Sequence, residues 1–152
     1  MLFRSDVFVS LSETDYYVRA LLAFLSSPAV STVSEVVVVG FSNDVAFLKQ
    51  FLPQQVEVVR QRLGWCEKTQ RLRCEIREEQ AQESDVQNIE AMSACDHHIL
   101  ANSTFSWWAA YLDTKPGVQV YLPQQWYAVG SEEHQKGLQR GFVVPEVGWQ
   151  VV

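Results

Sequence analysis

The segment at residues 88–112 (NIEAMSACDHHILANSTFSWWAAYL) limits the possible folds more than any other stretch of the chain. Apolar residues at helical spacing in its first part predict a short amphipathic helix. The apolar run at 98–101 is typical of a short, buried parallel strand. Residues 102–104 are all of types that begin helices, and the apolar stretch at 105–112 predicts a second helix. The segment therefore predicts an α/β protein in which a strand turns directly into a helix.

The turn between this strand and the second helix is the first candidate site. Asn102, Ser103 and Thr104 place short polar side chains beside N–H groups that the first turn of a helix leaves unbonded. The positive end of the helix dipole adds to the attraction for an anion. The alternative is that these residues only cap the helix, as such residues do in many strand-to-helix turns.

Two runs of residues in the same segment resemble one family. HHILANSTFSWWAAYL resembles a motif of the α-1,2-fucosyltransferases in which N-S-T-F-S-W-W-A/G-A-W/Y-L follows a short apolar strand. NIEAMSAC resembles the D-x-x-x-M-S-x-C sequence that precedes this motif in the family. The resemblance implies that this part of the chain binds the nucleotide-sugar donor, through Asn102, Ser103, Thr104, Phe105 and Ser106.

The chain before this segment predicts further strands and helices. The run at 35–41 (EVVVVGF) is apolar throughout and predicts a strand buried on both faces. Residues 45–52 predict a helix that Pro53 ends, and the alternation at 55–60 predicts a second strand. Residues 61–84 are polar and unpatterned, which predicts a surface excursion.

Weaker patterns complete the prediction of the fold. Ser12 and Asp15 resemble a capping box at the start of a helix that ends near residue 25, and 118–122 predicts a strand. Residues 1–9 resemble a strand, and 142–152 a tail that docks over the sheet. The alternation of elements predicts one domain over residues 1–152, with a mostly parallel sheet and helices on both faces. The resemblance implies that this α/β fold is Rossmann-like and forms one half of a GT-B glycosyltransferase.

The turn after the 35–41 strand is a second candidate site. Asp44 follows the carboxyl end of that strand, where doubly wound sheets bind ligands. Its carboxylate suits the paired N–H donors of a guanine ring. The alternative is an aspartate that only caps the next helix. The family resembled carries an F-S-D-D-like turn here, so Asp44 matches, whereas Asn43 replaces the usual first acid.

A third motif of the family matches only in part. Its H-x-R-R-x-D sequence supplies arginines that bind the donor diphosphate, a role that suits a bidentate guanidinium. Arg4 and Asp6 align with this motif, but Met1 and Phe3 stand where the histidine and first arginine belong. We expect either a fragment or a degenerate motif, and in both cases low activity.

Composition narrows the classes of partner. The formal net charge of −6 and the lack of a basic stripe argue against nucleic-acid binding. No apolar run approaches the roughly 18 residues of a membrane-spanning helix. Cys66, Cys74 and Cys95 lack metal-site spacing and are expected to be reduced, with a Cys66–Cys74 disulfide as the alternative.

Other distinctive side chains are assigned to structure. Adjacent His97 and His98 point to opposite faces of a strand, so they cannot chelate one metal ion, and a core or capping role is expected. Trp107, Trp108 and Tyr111 are expected to be core residues, with one ring lining the cleft as the alternative. Residues 102–104 also fit the N-glycosylation pattern, which we interpret as coincidence.

The resemblance implies an inverting transfer of L-fucose from GDP-β-L-fucose to the 2-hydroxyl of a galactoside. The expected partners are GDP-fucose and a galactose-terminated glycan, with no metal or other cofactor. The N-terminal acceptor half of the transferase is expected to be absent, and no catalytic base is identified. The alternatives are a non-catalytic module that binds a GDP-sugar or a protein partner, and a generic α/β domain. The location is expected to be cytoplasmic or membrane-peripheral in a bacterium, and the Golgi membrane in a eukaryote.

Overall fold

The computed structural model describes residues 10–64, 71–77, 84–129, 131–132 and 149–152. The chain divides into two compact units, which we call the β1–β2 unit (17–88) and the β3–β5 unit (1–16 with 89–152). Every strand pair in the described residues is parallel, which confirms the predicted α/β class. The single domain predicted over 1–152 stays a prediction, and the strand predicted at 1–9 lies outside the described residues.

The β1–β2 unit is built on one long parallel pair. Strand β1 (Glu35–Phe41) pairs with β2 (Arg71–Arg77) along its whole length. Helix α2 (Val45–Leu63) connects them and packs closely on β1. A Cβ atom at Gly40 would lie 2.9 Å from the side chains of both Leu48 and Leu52, so glycine is what permits this close approach. The strand predicted at 35–41 is confirmed.

Helix α2 contradicts the prediction of a short helix followed by a strand. It runs through Pro53 and across residues 55–60 to a left-handed Gly64, whose φ is 60°. Leu52, Val56 and Val59 are buried along one helical face. Burying three such side chains is worth roughly 1.5–3 kcal/mol each, which exceeds the roughly 3 kcal/mol that an interior proline costs. The apparent alternation at 55–60 was therefore part of a helical stripe.

Strand β2 contradicts the prediction of a surface excursion at 61–84. Its sequence, RLRCEIR, places an apolar residue at every second position between charged ones, as expected for a half-buried strand. Leu72 is buried, and its carbonyl oxygen accepts a hydrogen bond from the Arg60 side chain of α2. The exposed Arg73 pairs with Glu35 of β1 at 2.8 Å. The many charges conceal the alternation.

The β3–β5 unit contains a sheet of three short strands in the order β3-β4-β5. Strand β3 is His98–Ile99, β4 is Val120–Leu122 and β5 is Trp149–Val151. All three residues of β4 are buried, as expected for a central parallel strand. The prediction of a tail at 142–152 that covers the sheet is wrong for residues 149–151. These residues form β5, which pairs with β4 and extends the edge of the sheet.

Four α-helices and two 3₁₀ turns lie in the described residues. Helix α1 is Tyr16–Leu25, α3 is Asp85–Ser93, and α4 is Thr104–Tyr111. The 3₁₀ turns are Leu11–Glu13 and Pro28–Val30. The cap predicted at Ser12 is wrong, because the hydroxyl of Thr14 accepts the N–H of Tyr16 instead. In the described part of the chain, no helix is long and apolar enough to span a membrane.

Candidate functional site

The passage from β3 into the first turn of α4, residues 101–106, is called the α4 turn. Ser103 is extended, and its hydroxyl oxygen accepts the N–H of Phe105 at 3.2 Å, so it caps the helix as predicted. The first turn of a helix leaves further N–H groups without helical partners. Across the described residues, no acceptor is bonded to the N–H of Thr104 or of Ser106. The α4 turn therefore presents two donors at the positive end of the helix.

The hydroxyl groups around the α4 turn differ in what they can bind. Thr104 is exposed. Ser106 is buried, and its Oγ lies 3.0 Å from the carbonyl oxygen of Ala101 and 2.9 Å from that of Ser103. The single proton of Ser106 is therefore committed to bracing the turn, whereas the Thr104 side chain is accessible to a ligand.

Asn102 anchors the same turn from within. It is 7% exposed, and its Nδ2 donates a hydrogen bond of 3.1 Å to the carbonyl oxygen of Trp126. A buried carboxamide nitrogen bonded in this way is a poor acceptor for a glycan, which supports the interpretation of the N-glycosylation pattern as coincidence. Asn102 thus fixes the geometry of the turn whether or not a ligand touches it.

The aromatic residues of α4 correct one prediction. Trp107 packs against the buried cluster around Leu100, and its ring stacks on Tyr111 with centroids 4.9 Å apart. Trp108 and Tyr111, however, are 49% and 44% exposed, so the expectation that both are core residues is wrong. Adjacent residues of a helix point about 100° apart, and here Trp107 faces the buried cluster while Trp108 is half exposed.

A buried polar network lies where β3 begins. His98 Nε2 is 2.8 Å from Asp113 Oδ2, and Lys115 Nζ is 3.1 Å from the same oxygen. Lys115 also donates to the carbonyl oxygens of Ser93 and Cys95 at the end of α3. Because an ionised carboxylate only accepts, neutral His98 donates its Nε2–H. The network ties α3 and the residues after α4 to β3, as expected for a core histidine.

Two pKa shifts follow from this network. Burial lowers the pKa of His98 below its ordinary value, although the hydrogen bond to Asp113 opposes the shift. Burial raises the pKa of Asp113, but hydrogen bonds from His98 and Lys115 outweigh it, so this carboxyl group stays ionised below its ordinary pKa. An open groove of about 460 Å³ lies beside the network, lined in part by Glu90 and Ser93. Asp113 and Lys115, which also line the groove, already pair with each other.

The second candidate residue, Asp44, belongs to the β1–β2 unit. It caps α2, accepting the N–H of Phe47 at 2.9 Å, and it is exposed. Its own N–H donates to the hydroxyl of Ser42. Capping uses one carboxylate oxygen, and contact with a guanine ring stays a prediction. Arg4 and Asp6 lie outside the described residues.

Other residue types with possible chemistry give no further site. No group of three or more His, Cys, Asp or Glu side chains suited to a metal ion occurs among the described residues. Cys74 and Cys95 are free thiols, and Cys66 lies outside the described part of the chain. The donor-binding roles predicted for the α4 turn therefore rest on its backbone N–H groups and on Thr104.

Sequence reasoning missed Tyr16. Its ring fits the apolar face of the predicted helix that ends near residue 25, yet its buried hydroxyl lies within hydrogen-bonding distance of the carbonyl oxygens of Leu100 and Tyr121, close to the α4 turn. The sequence indicates this role only through the residue type, since a buried tyrosine hydroxyl needs a hydrogen-bond partner. That signal does not identify a partner so distant along the chain.

Comparison with known proteins supports a function for this arrangement. Residues 55–143 match the sequence model of glycosyl transferase family 11, a stretch of 89 of the 152 residues. Over 37 residues the chain is 49% identical to the O-antigen biosynthesis glycosyltransferase WbnK of Escherichia coli, covering 24% of this chain and 12% of that protein. No solved structure matches. The family match includes the α4 turn. It begins at residue 55, after Arg4, Asp6 and Asp44.

Proposed function

Because this chain belongs to glycosyl transferase family 11, we propose that it binds GDP-β-L-fucose and takes part in inverting transfer of L-fucose to the 2-hydroxyl of a galactoside. The family makes it a glycosyltransferase. The choice of fucose, of GDP and of the linkage follows the resemblance of residues 97–112 to the α-1,2-fucosyltransferases. One observation carries the proposal, which is the α4 turn with its two N–H donors beside the exposed Thr104.

The chemistry of such a transfer explains why a helix start is useful. The acceptor hydroxyl oxygen attacks C1 of fucose while the bond from C1 to the β-phosphate oxygen breaks. The electron pair leaves with GDP, and the hydroxyl proton passes to water or to the departing diphosphate. Negative charge therefore grows on the diphosphate. Preorganised N–H donors aimed at that charge stabilise the transition state. The N–H groups of Thr104 and Ser106, with the α4 dipole behind them, are suited to this role.

We assign the residues of the α4 turn different roles in binding the diphosphate. The Thr104 hydroxyl donates a hydrogen bond to a phosphate oxygen. Asn102 and Ser106 hold the backbone in the required shape, since both side chains bond to backbone carbonyl groups. By the resemblance, Asp44 is a further candidate for contact with a guanine ring, through the carboxylate oxygen that does not cap α2, and Arg4 is a candidate for contact with a diphosphate.

The first test is a calorimetric titration of the 152-residue chain with GDP. Replacing Thr104 by Val removes one hydroxyl and keeps the shape of the side chain. A hydrogen bond to a charged group is worth about 1.5–3 kcal/mol, so affinity should fall about ten- to a hundredfold. The matched control is Thr114→Val, the same change at an exposed site beyond α4, and it should bind like the unaltered chain. Equal affinity in both variants would exclude the Thr104 hydroxyl from the GDP site.

A second candidate function is a non-catalytic module that binds a GDP-sugar. It is favoured by Phe3, which stands where the donor motif of the resembled family has its first arginine. Transfer of labelled fucose from GDP-fucose to a lactose-type acceptor separates the two. Binding of GDP without transfer supports the module, and measurable transfer supports the enzyme.

A further inference from the structure

The hydroxyl of Tyr16 lies at the end of the sheet that carries the α4 turn. Tyr16 is 1% exposed, and its hydroxyl is 2.7 Å from the carbonyl oxygen of Leu100 and 3.1 Å from that of Tyr121. Leu100 is the residue immediately before the α4 turn. One buried side chain thus contacts the backbone of two neighbouring strands at the point where the turn begins.

The hydrogen bonds between β3 and β4 explain why a side-chain donor is needed there. His98 N–H donates to the carbonyl of Gln119, and Leu100 N–H to that of Tyr121, so the ladder advances two residues at a time. The next donor in this pattern, for the carbonyl oxygen of Leu100, would be the N–H of residue 123. That residue is Pro123, which has no N–H. The Tyr16 hydroxyl supplies the missing donor.

The backbone leading to Ser103 is therefore held at successive residues. The carbonyl of Leu100 accepts from Tyr16, the carbonyl of Ala101 accepts from Ser106, and the side chain of Asn102 donates to Trp126. Ser106 and Asn102 belong to the turn and helix that they brace. Tyr16, at the start of α1, braces the turn from a distant part of the sequence.

We propose that Tyr16 is a positioning residue for the donor site, and that its hydroxyl sets the direction in which the N–H groups of the α4 turn point. The inference rests on the proposed function of the turn in binding the GDP diphosphate. A buried carbonyl group that loses its donor drives the backbone to shift or admit water, since leaving it unbonded is costly. Such a shift would misdirect donors that follow only a few residues later.

The test compares Tyr16→Phe with Tyr121→Phe. Each variant removes one hydroxyl from a tyrosine that is 1% exposed. The Tyr121 hydroxyl bonds to Gln119 Oε1 at 2.8 Å, before β4 begins, so its loss leaves the carbonyl of Leu100 bonded to Tyr16. The two variants therefore match in chemistry and in residue burial, but Tyr16→Phe frees a backbone carbonyl oxygen, whereas Tyr121→Phe frees a side-chain amide oxygen.

Two readouts are measured on the full chain, GDP affinity by calorimetry and amide hydrogen exchange by segment. We expect Tyr16→Phe to weaken GDP binding about three- to tenfold and to speed exchange across 100–106. Tyr121→Phe should bind GDP within about twofold of the unaltered chain. Where the unaltered chain binds GDP, equal affinity in the two variants would overturn the proposal.

The design separates this inference from the proposed function. If the unaltered chain binds no GDP, the proposed function fails and exchange at 100–106 alone decides the role of Tyr16. Faster exchange there in Tyr16→Phe alone would support the positioning of the turn, and unchanged exchange would refute it. If the unaltered chain binds GDP and Tyr16→Phe binds it equally well, the function stands and the inference falls.

Discussion

The two units of this chain hold their strands together in different ways. In the β1–β2 unit, two seven-residue strands pair over their full length and a 19-residue helix covers them. In the β3–β5 unit, strands of two or three residues are supplemented by side chains that bond to backbone carbonyl groups. Regular hydrogen bonding and burial maintain the first unit, whereas particular side chains fix the second.

This difference bears on function because the candidate site belongs to the second unit. A site that must present donors in a defined direction needs a backbone held at each residue. Short strands leave several carbonyl groups beyond the ladder, and side chains of Tyr16, Ser106 and Lys115 occupy them. The comparison predicts that the first unit is sensitive to changes in burial, and the second to the loss of single hydrogen bonds.

The largest effect should come from placing a charge in the core of the β1–β2 unit. Val59 is 0% exposed on α2, whereas the adjacent Val58 is 37% exposed. Val59→Asp should lower the free energy of unfolding by roughly 3–5 kcal/mol, and Val58→Asp by less than about 1 kcal/mol, measured by urea denaturation. If residues 55–60 formed a strand, Val58 would share the buried face with Val56, and the order of the two effects would reverse.

A smaller effect should appear in the pH dependence of the β3–β5 unit. Burial lowers the folded-state pKa of His98, so the unfolded chain binds its proton first as the pH falls. Stability is therefore greatest above the ordinary histidine pKa of about 6.5 and declines below it, by at most about 1.4 kcal/mol per pH unit for one proton.

The check is urea denaturation at several pH values between about 7.5 and 5.5. His98→Gln removes the titrating group and should flatten the decline of stability with falling pH. In amide hydrogen exchange, the effect of this substitution should be confined to the β3–β5 unit. His97→Gln is the control, because His97 is less buried and should account for less of the decline. Identical pH slopes in the unaltered chain and His98→Gln would contradict this account of the network.

The smallest effect should come from the surface ion pair of the β1–β2 unit. Arg73 is 2.8 Å from Glu35 and 3.4 Å from Glu75, but all three side chains are more than one third exposed. Exposed pairs are typically worth about 0.2–1 kcal/mol, so Arg73→Ala should lower stability within that range. Arg71→Ala, on the same face of β2, is the reference. A loss well above that range would show that the first unit also depends on single polar contacts.

Apolar runs predicted the parts of the fold in which burial dominates. The strands at 35–41 and at 98–99 follow from them, and the cap at Ser103 follows from its residue type. The runs failed where another force prevailed, as at β2, where charges hide the alternation, and at Pro53, where burial outweighs the cost of an interior proline.

The candidate site was predictable in place but not in detail. The residue types at 102–104 identify the turn, but the sequence cannot show that Ser106 bonds inward while Thr104 stays exposed. Nor can it show that Tyr16 serves a carbonyl group opposite Pro123, since the two residues meet only in the folded sheet. Such contacts depend on tertiary geometry, which local patterns do not encode.

The most direct test of the central claim is a GDP titration of the ¹⁵N-labelled chain followed by NMR. If the α4 turn binds the diphosphate, the amide signals of Thr104 and Ser106 should shift most among those of the β3–β5 unit, because their N–H groups bond to phosphate oxygens. In Thr104→Val the same shifts should need about ten- to a hundredfold more GDP. Shifts confined to the groove beside Glu90 and Lys115, or no shifts in the α4 turn at saturating GDP, would contradict the account.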